Sequence, residues 1–343
     1  MTRYIIRRLL QAIPLLIIIS AIIFLLINAM GDPLASFGGR RRIRSQDRER
    51  LTRQLGLDKP ILVQYVVWLF GNDWMKIDMD GDGIPETPGK RKGVLRGDFG
   101  KSLMGRRPVL EVIGERIPNT LLLMLTTEIV VWILALGIGI YSALRQYSTL
   151  DNVITAFSFI GFSMPVFWLA LLLMFIFAVS FKRWGLPYFP TVGMYDLEVG
   201  KTVLQVAWHM VLPVTTMSII SVAGYSRYVR SQMLEVISQD YIRTAYAKGL
   251  PQRMVLLGHA LKNAALPLVT IEGMSLPLLI GGAVVTETIF AWPGMGRLYI
   301  EAASDTDIPV LMGILMIIST LVVVFQIITD ITYTFLDPRI RYD

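Results

Sequence analysis

The chain has 343 residues, 54% of them hydrophobic, 17% charged and none cysteine, with a formal net charge of +7 and a mean hydropathy of +0.56. The charged share is below the roughly 25% of soluble domains, so the composition is that of an integral membrane protein, and the lack of cysteine excludes disulfides and thiolate metal sites. The positive balance fits membrane flanks rather than nucleic acid, because no basic patch interleaved with stacking aromatics occurs.

Six segments reach the ~20 apolar residues that cross a bilayer, at about 9–30, 119–143, 153–181, 203–225, 265–290 and 308–336. The expected fold is an all-α integral membrane protein, one transmembrane domain over residues 1–343 with six spans. The first run follows Arg3, Arg7 and Arg8 and exceeds the roughly 7–15 apolar residues of a signal peptide, so it reads as a retained span. Basic residues then set the orientation. Arg227, Arg230, Arg243, Lys248, Arg253 and Lys262 outweigh Glu235 and Asp240 between spans four and five. Arg145, Arg339 and Arg341 lie on the same side, whereas the segment with Arg297, Glu301, Asp305 and Asp307 is net acidic. The positive-inside rule therefore predicts both termini in the cytoplasm. Arg40, Arg41, Arg42 and Arg44 fall outside, in a long loop that translocates regardless of charge.

That extracytoplasmic loop covers 31–115. Asp58-Lys-Pro60 reads as an N-cap and a first-turn proline, opening an apolar helix from Ile61 to Phe70 that stops at Gly71. It is expected on the membrane surface or against the spans, with Trp68 and Trp74 suited to the interface. Next comes the acidic turn Asp78-Met-Asp80-Gly-Asp82-Gly83-Ile84-Pro-Glu86. Alternating carboxylates, a turn-forming glycine, the Ile84 carbonyl and Glu86 at the ninth position can wrap calcium. Gly89 stands at the twelfth position, where an EF-hand needs glutamate. Gly100-Lys-Ser102 imitates the end of a phosphate-binding loop, but Leu95 occupies the place of its first glycine. The chain thus lacks a recognisable ATP site.

Ionisable Glu128, His209, Glu272 and Glu287 fall in or near spans, where such residues face cavities or partners. Glu272 is a candidate for a cationic or amino group of a substrate, or for a polar contact at the cytoplasmic gate or at an interface with a partner chain; Glu287, beside Trp292-Pro293-Gly294, reads as a structural contact. Pro165 and Pro277 can open backbone groups, and Gly281-Gly282 permits close approach. Between spans four and five lies Ser238-Gln-Asp240-Tyr241-Ile-Arg243-Thr244-Ala245-Tyr246-Ala247-Lys248-Gly249. Ser238 is expected to cap a short helix, Asp240 to sit at its positive end, Lys248 at its negative end and Gly249 just beyond. Small Ala245 and Ala247 would let a partner approach. A loop that only joins two spans needs no such helix, so it reads as a docking element.

Tyr241–Leu250, with the run ending at Leu266-Pro267, resembles the EAA loop of ABC importer permeases of the dipeptide, oligopeptide and nickel family. So do Gly97–Ser102, Arg107–Leu110, Glu115–Thr120, Ser163-Met164-Pro165-Val-Phe-Trp168, Gly281–Arg297 and Leu336–Arg339, in order along nearly the whole chain. Tyr246 stands where relatives often carry a basic residue, and the acidic turn is an insertion. The resemblance implies a peptide importer permease in a bacterial or archaeal plasma membrane, with nickel or another small solute as the alternative cargo. It implies a second homologous permease, two ATPase subunits that hold ATP and Mg2+, and an extracytoplasmic binding protein. The 226–264 loop would then couple to an ATPase through Asp240, Tyr241 and Arg243–Gly249. The path would pass Ser163, Met164, Pro165, Glu272, Gly281 and Gly282. The chain itself would be no enzyme and would bind no catalytic cofactor. An ion-coupled secondary transporter is the rival that Glu128 and Glu272 keep open, though no inverted repeat is visible. An intramembrane enzyme lacks any metal motif or nucleophile–base pair.

Overall fold

Apolar runs form helices in this chain because only a helix satisfies its own backbone polar groups in hydrocarbon. The computed structural model describes residues 2–29, 49, 52–53, 56–78, 85–265, 268, 271 and 283–336. Its helices are α1 (Thr2–Ala29), α2 (Ile61–Phe70), α3 (Val109–Leu144), α4 (Thr149–Ser163), α5 (Val166–Arg183), α6 (Val203–Ile237), α7 (Asp240–Ala247), α8 (252–264), α9 (Val284–Ile289), α10 (Met295–Ser304) and α11 (Ile308–Leu336). Among the described residues, five helices are long and apolar enough to cross a membrane, within α1, α3, α5, α6 and α11. The fifth predicted span, 265–290, falls mostly outside the described residues.

The largest shifts from the predicted boundaries are at α3 and α6. Helix α3 begins at Val109 instead of 119, and α6 runs to Ile237, past the predicted end at 225 and into the predicted loop 226–264. At 1.5 Å per residue these helices are about 54 and 52 Å long, beyond the ~30 Å hydrocarbon layer, so their ends are polar helix that an apolar-run criterion cannot see. The third run is two helices rather than one. Proline disfavours helical geometry in the residue before it, and Met164 is extended (φ −82°, ψ 131°), which ends α4 at Ser163 and restarts the helix at Val166. Within α5, residues Phe175–Ser180 form a π-helical segment.

The chain divides into two compact units, one holding 1–118 and 298–327, the other 119–297 and 328–341. In the first, α2 packs on α1. Ser20 and Tyr65 share a hydroxyl hydrogen bond of 2.7 Å, and Phe24 packs edge-on against Tyr65 and tilted against Trp68. Trp68 is therefore buried against a span, while Trp74 is exposed. Asp58 does not cap α2. Pro60 takes the N-cap position, and Asp58 pairs with Lys59 at 3.2 Å. Gly71 ends the helix at φ +91°, as expected. Short strands β1 (Lys76–Ile77) and β2 (Thr87–Pro88) pair antiparallel with Lys76 opposite Pro88 and Ile77 opposite Thr87. Ser102 of the Gly100-Lys-Ser102 tripeptide donates to the Asp307 carboxylate, which also accepts the Leu103 N–H. The hydroxyl of the tripeptide is thus taken up by the protein's own carboxyl group.

In the second unit, α6 is the central helix. It packs on α3 at Gly139, where a Cβ would come within 2.5 Å of the Val229 Cβ, and on α4 at Gly161, beside Ile219 and Ala223. Leu169, Ala170 and Leu173 of α5 close a separate core with Leu212 and Phe290.

Candidate functional site

Helix α7 sits on the end of α6. Ser238 is not its cap: the Ser238 hydroxyl turns back and donates to the Glu235 carbonyl at 2.7 Å, closing α6. A serine at a junction can serve either helix, and here the preceding one takes it. Gln239 is extended, and its carbonyl accepts the Ile242 and Arg243 N–H groups at 3.1 and 3.3 Å. Asp240 occupies the first turn, where its charge favours the helix dipole. At the other end the Lys248 N–H reaches the Thr244 carbonyl at 3.0 Å, and Gly249 takes φ +74°.

The period of the helix sorts its residues. Ile242, 1% exposed, and Ala245, 7% exposed, face inward onto Val229, Met233, Val255, Leu256 and Ala260. Ala245 is thus an anchor in the protein's own core, correcting its reading as a point of close approach. Asp240, Tyr241, Arg243, Thr244, Tyr246, Ala247, Lys248 and Gly249 are exposed. Two tyrosines and mixed charges are presented outward on a fixed base. The Asp240–Arg243 pair at 3.8 Å is fully at the surface and adds little stability.

The break between α4 and α5 forms a second feature. Ser163 donates to the Phe159 carbonyl at 2.8 Å, and Met164 and Pro165 interrupt the ladder. Phe159, Ile160, Ser163, Met164, Pro165 and Trp168 line an open depression of about 570 Å³. Of the other predicted path residues, Glu272, Gly281 and Gly282 lie outside the described residues.

A third feature escaped the sequence reading. Ser148 accepts the Asp151 N–H at 3.2 Å, while Asp151 accepts the Tyr147 N–H at 2.9 Å and Arg230 Nη2 at 3.1 Å. The pattern Ser148-Thr-Leu-Asp151 before an apolar run is the capping signature that could have marked this site. At the far end of the unit, Glu287 is 0% exposed and accepts from the Thr120 hydroxyl at 2.9 Å and the Arg297 N–H at 3.1 Å. Trp292 Nε1 donates to the Asn119 carbonyl at 2.9 Å, so the Trp292-Pro293-Gly294 turn is tied to α3. Glu287 thus makes the structural contact expected of it. His209 is buried with Nδ1 2.8 Å from the Gln205 carbonyl, and Glu128 is half-buried in α3.

The acidic segment lies in sequence between the paired strands β1 and β2. Asp78 is half-buried and Glu86 exposed, while Asp80, Asp82 and Ile84 lie outside the described residues. Among the described residues no group of three His, Cys, Asp or Glu stands at metal-binding separation.

A sequence profile described as "Binding-protein-dependent transport system inner membrane component" matches residues 135–342, and one for the N-terminal part of such components matches 1–124. The chain belongs to this family of permeases. The permease is 41% identical to the oligopeptide transport system permease protein AppB of Bacillus subtilis, over the whole of both chains. It is 36% identical to a probable peptide ABC transporter permease protein of Sinorhizobium fredii, over 99% of each. It is 33% identical to the dipeptide transport system permease protein DppB of Escherichia coli, over 100% of this chain and 99% of that one. The permease is therefore a multi-pass membrane component of an ABC transporter.

Proposed function

We propose that this permease is the transmembrane subunit of an ATP-driven importer of peptides. The observation that carries the reading is the match over the full chain to oligopeptide and dipeptide permeases. Helix α7 supplies the means of coupling. Its inward face is fixed in the α6–α8 core, and its outward face offers Tyr241, Arg243, Tyr246 and Lys248 to an ATPase subunit. A push on that face moves α6 and α8 with it, because Ile242 and Ala245 are packed into them. ATP and Mg2+ act in the two ATPase subunits, a homologous second permease completes the path, and an extracytoplasmic binding protein delivers the peptide. The path runs past the break at Ser163–Pro165 and past Glu272, Gly281 and Gly282. A sixth span within 265–290, cytoplasmic termini and a cytoplasmic α7 complete this arrangement, supported by the distribution of basic residues.

Co-purification from the native membrane tests the coupling. An ATPase subunit is expected to accompany the wild-type chain and to be lost with Tyr246→Asp; its retention by that variant would overturn the role given to α7. Uptake assays with labelled peptide and with nickel separate the cargoes.

The turn 78–86 is proposed as a calcium loop that rigidifies the outer segment. The β1–β2 register supports it by bringing the two ends of the turn together. Millimolar calcium is expected to slow proteolysis between 78 and 88, and cleavage at the same rate with and without calcium would refute the site.

A further inference from the structure

The pair Asp151–Arg230 is not built as a finished ion pair. Asp151 is 2% exposed, and its Oδ2 takes both the Tyr147 N–H and the single Arg230 Nη2 bond. Its Oδ1 is buried without a hydrogen-bond partner, and so is Arg230 Nε. Those two atoms are the ones that would make the second, parallel bond of a bidentate fork. Ser142 Oγ is buried beside the same carboxyl and is the hydroxyl that can turn to it when the fork is open. Buried charged groups left half-satisfied are costly. A small slide of α4 along α6 would close the fork and relieve that cost.

The pair also stands between the two candidate sites. Arg230 follows Val229, which lies in the same apolar core as Ile242 and Ala245 of α7. Asp151 stands in the first turn of α4, whose other end is the break at Ser163–Pro165. Fifteen helical residues separate nothing softer than a rod of about 22 Å. Gly161 keeps that rod against Ile219 and Ala223 of α6 near the break. A displacement of α6 at Arg230 therefore has a stiff route to Met164 and Pro165.

We propose that Asp151 and Arg230 are positioning residues forming a two-position strut, singly bonded in this conformation and forked in another transport state, that carries the movement of α7 through α4 to the break at Ser163–Pro165. The proposal rests on the role of α7 given above.

The test uses the complete importer in proteoliposomes, reading peptide imported per ATP hydrolysed. Arg230→Lys keeps the charge and can keep one bond to Oδ2, but has no second nitrogen with which to close a fork. The expected result is a fall in that ratio of at least about fivefold, the lower end of ordinary coupling between sites. A wild-type ratio would overturn the strut, because lysine meets every need of a static pair. A second measurement does not depend on the variant folding. The chain has no cysteine, so spin labels placed at exposed Asn152 and Ser231 report the α4–α6 separation. A change of about 2 Å between nucleotide-free and ATP-trapped states is expected for a helix shift, and an unchanged distance would also overturn the strut. Tyr246→Asp in the same assay separates the two ideas. Unaltered coupling there sinks the role of α7 itself, whereas coupling lost there with a wild-type ratio in Arg230→Lys sinks only the strut.

Discussion

Gly249 holds φ +74° with open space where a Cβ would point, so Gly249→Ala isolates backbone strain from any clash. A left-handed alanine costs about 1–2 kcal/mol, which predicts roughly tenfold faster amide exchange at the C-terminal end of α7 if that segment opens locally. Unchanged exchange would mean that the end of α7 is not held by this residue. At Asp151, burial pushes the carboxyl up, but the Tyr147 N–H and Arg230 overcome it and leave it below its ordinary value. A depressed carboxylate contributes stability that is present above its unfolded value and is lost as pH falls through the folded one. This pair is therefore expected to leave thermal stability flat from pH 5 to 8, because its contribution is lost only below the ordinary carboxylate value of about 4. A transition assigned to Asp151 near pH 6, by comparison with Asp151→Asn, would contradict the pairing. Both ends of α7 were legible in the sequence to different degrees. Gly249 and Lys248 have one helix to serve and fell where expected. Ser238 stands between two helices, and its choice is made by the geometry of α6.

Between elements, two glycines of α3 make a matched pair. A Cβ at Gly139 would meet the Val229 Cβ at 2.5 Å and the Ser226 carbonyl at 2.7 Å, whereas nothing lies within 4 Å of one at Gly137. Gly139→Ala is expected to force α3 from α6 at a cost of about 1–3 kcal/mol. Gly137→Ala should be neutral or stabilising by up to about 1 kcal/mol. The thermal midpoints of the two purified variants check this directly; equal midpoints would mean that the helices do not meet there. The interruption of the third run was visible in Pro165, yet hydropathy alone joined α4 and α5 because both halves are apolar. The long polar extensions of α3 and α6 were hidden for the opposite reason, since helix continues where hydropathy stops. The Glu287 site shows the same limit: Glu287 was recognisable as structural, but its partner Thr120 lies far away in sequence. Glu287→Gln, which weakens the acceptors offered to Thr120 and the Arg297 N–H, is expected to cost about 1–3 kcal/mol.

At the scale of the molecule, family membership was readable because short motifs recur in order along the entire chain, and both profiles cover it almost end to end. The proposed coupling depends on how α7 is built: anchored by Ile242 and Ala245, exposed on its other face, and followed by a core that reaches back to α6. A secondary transporter has no use for such a helix. Reconstituting the permease with its partner subunits and binding protein, and following labelled peptide into vesicles, tests this most directly. Uptake is expected to require ATP, to persist without an ion gradient and to disappear with Tyr246→Asp. Uptake by this chain alone, driven by an ion gradient in the absence of ATP, would contradict it.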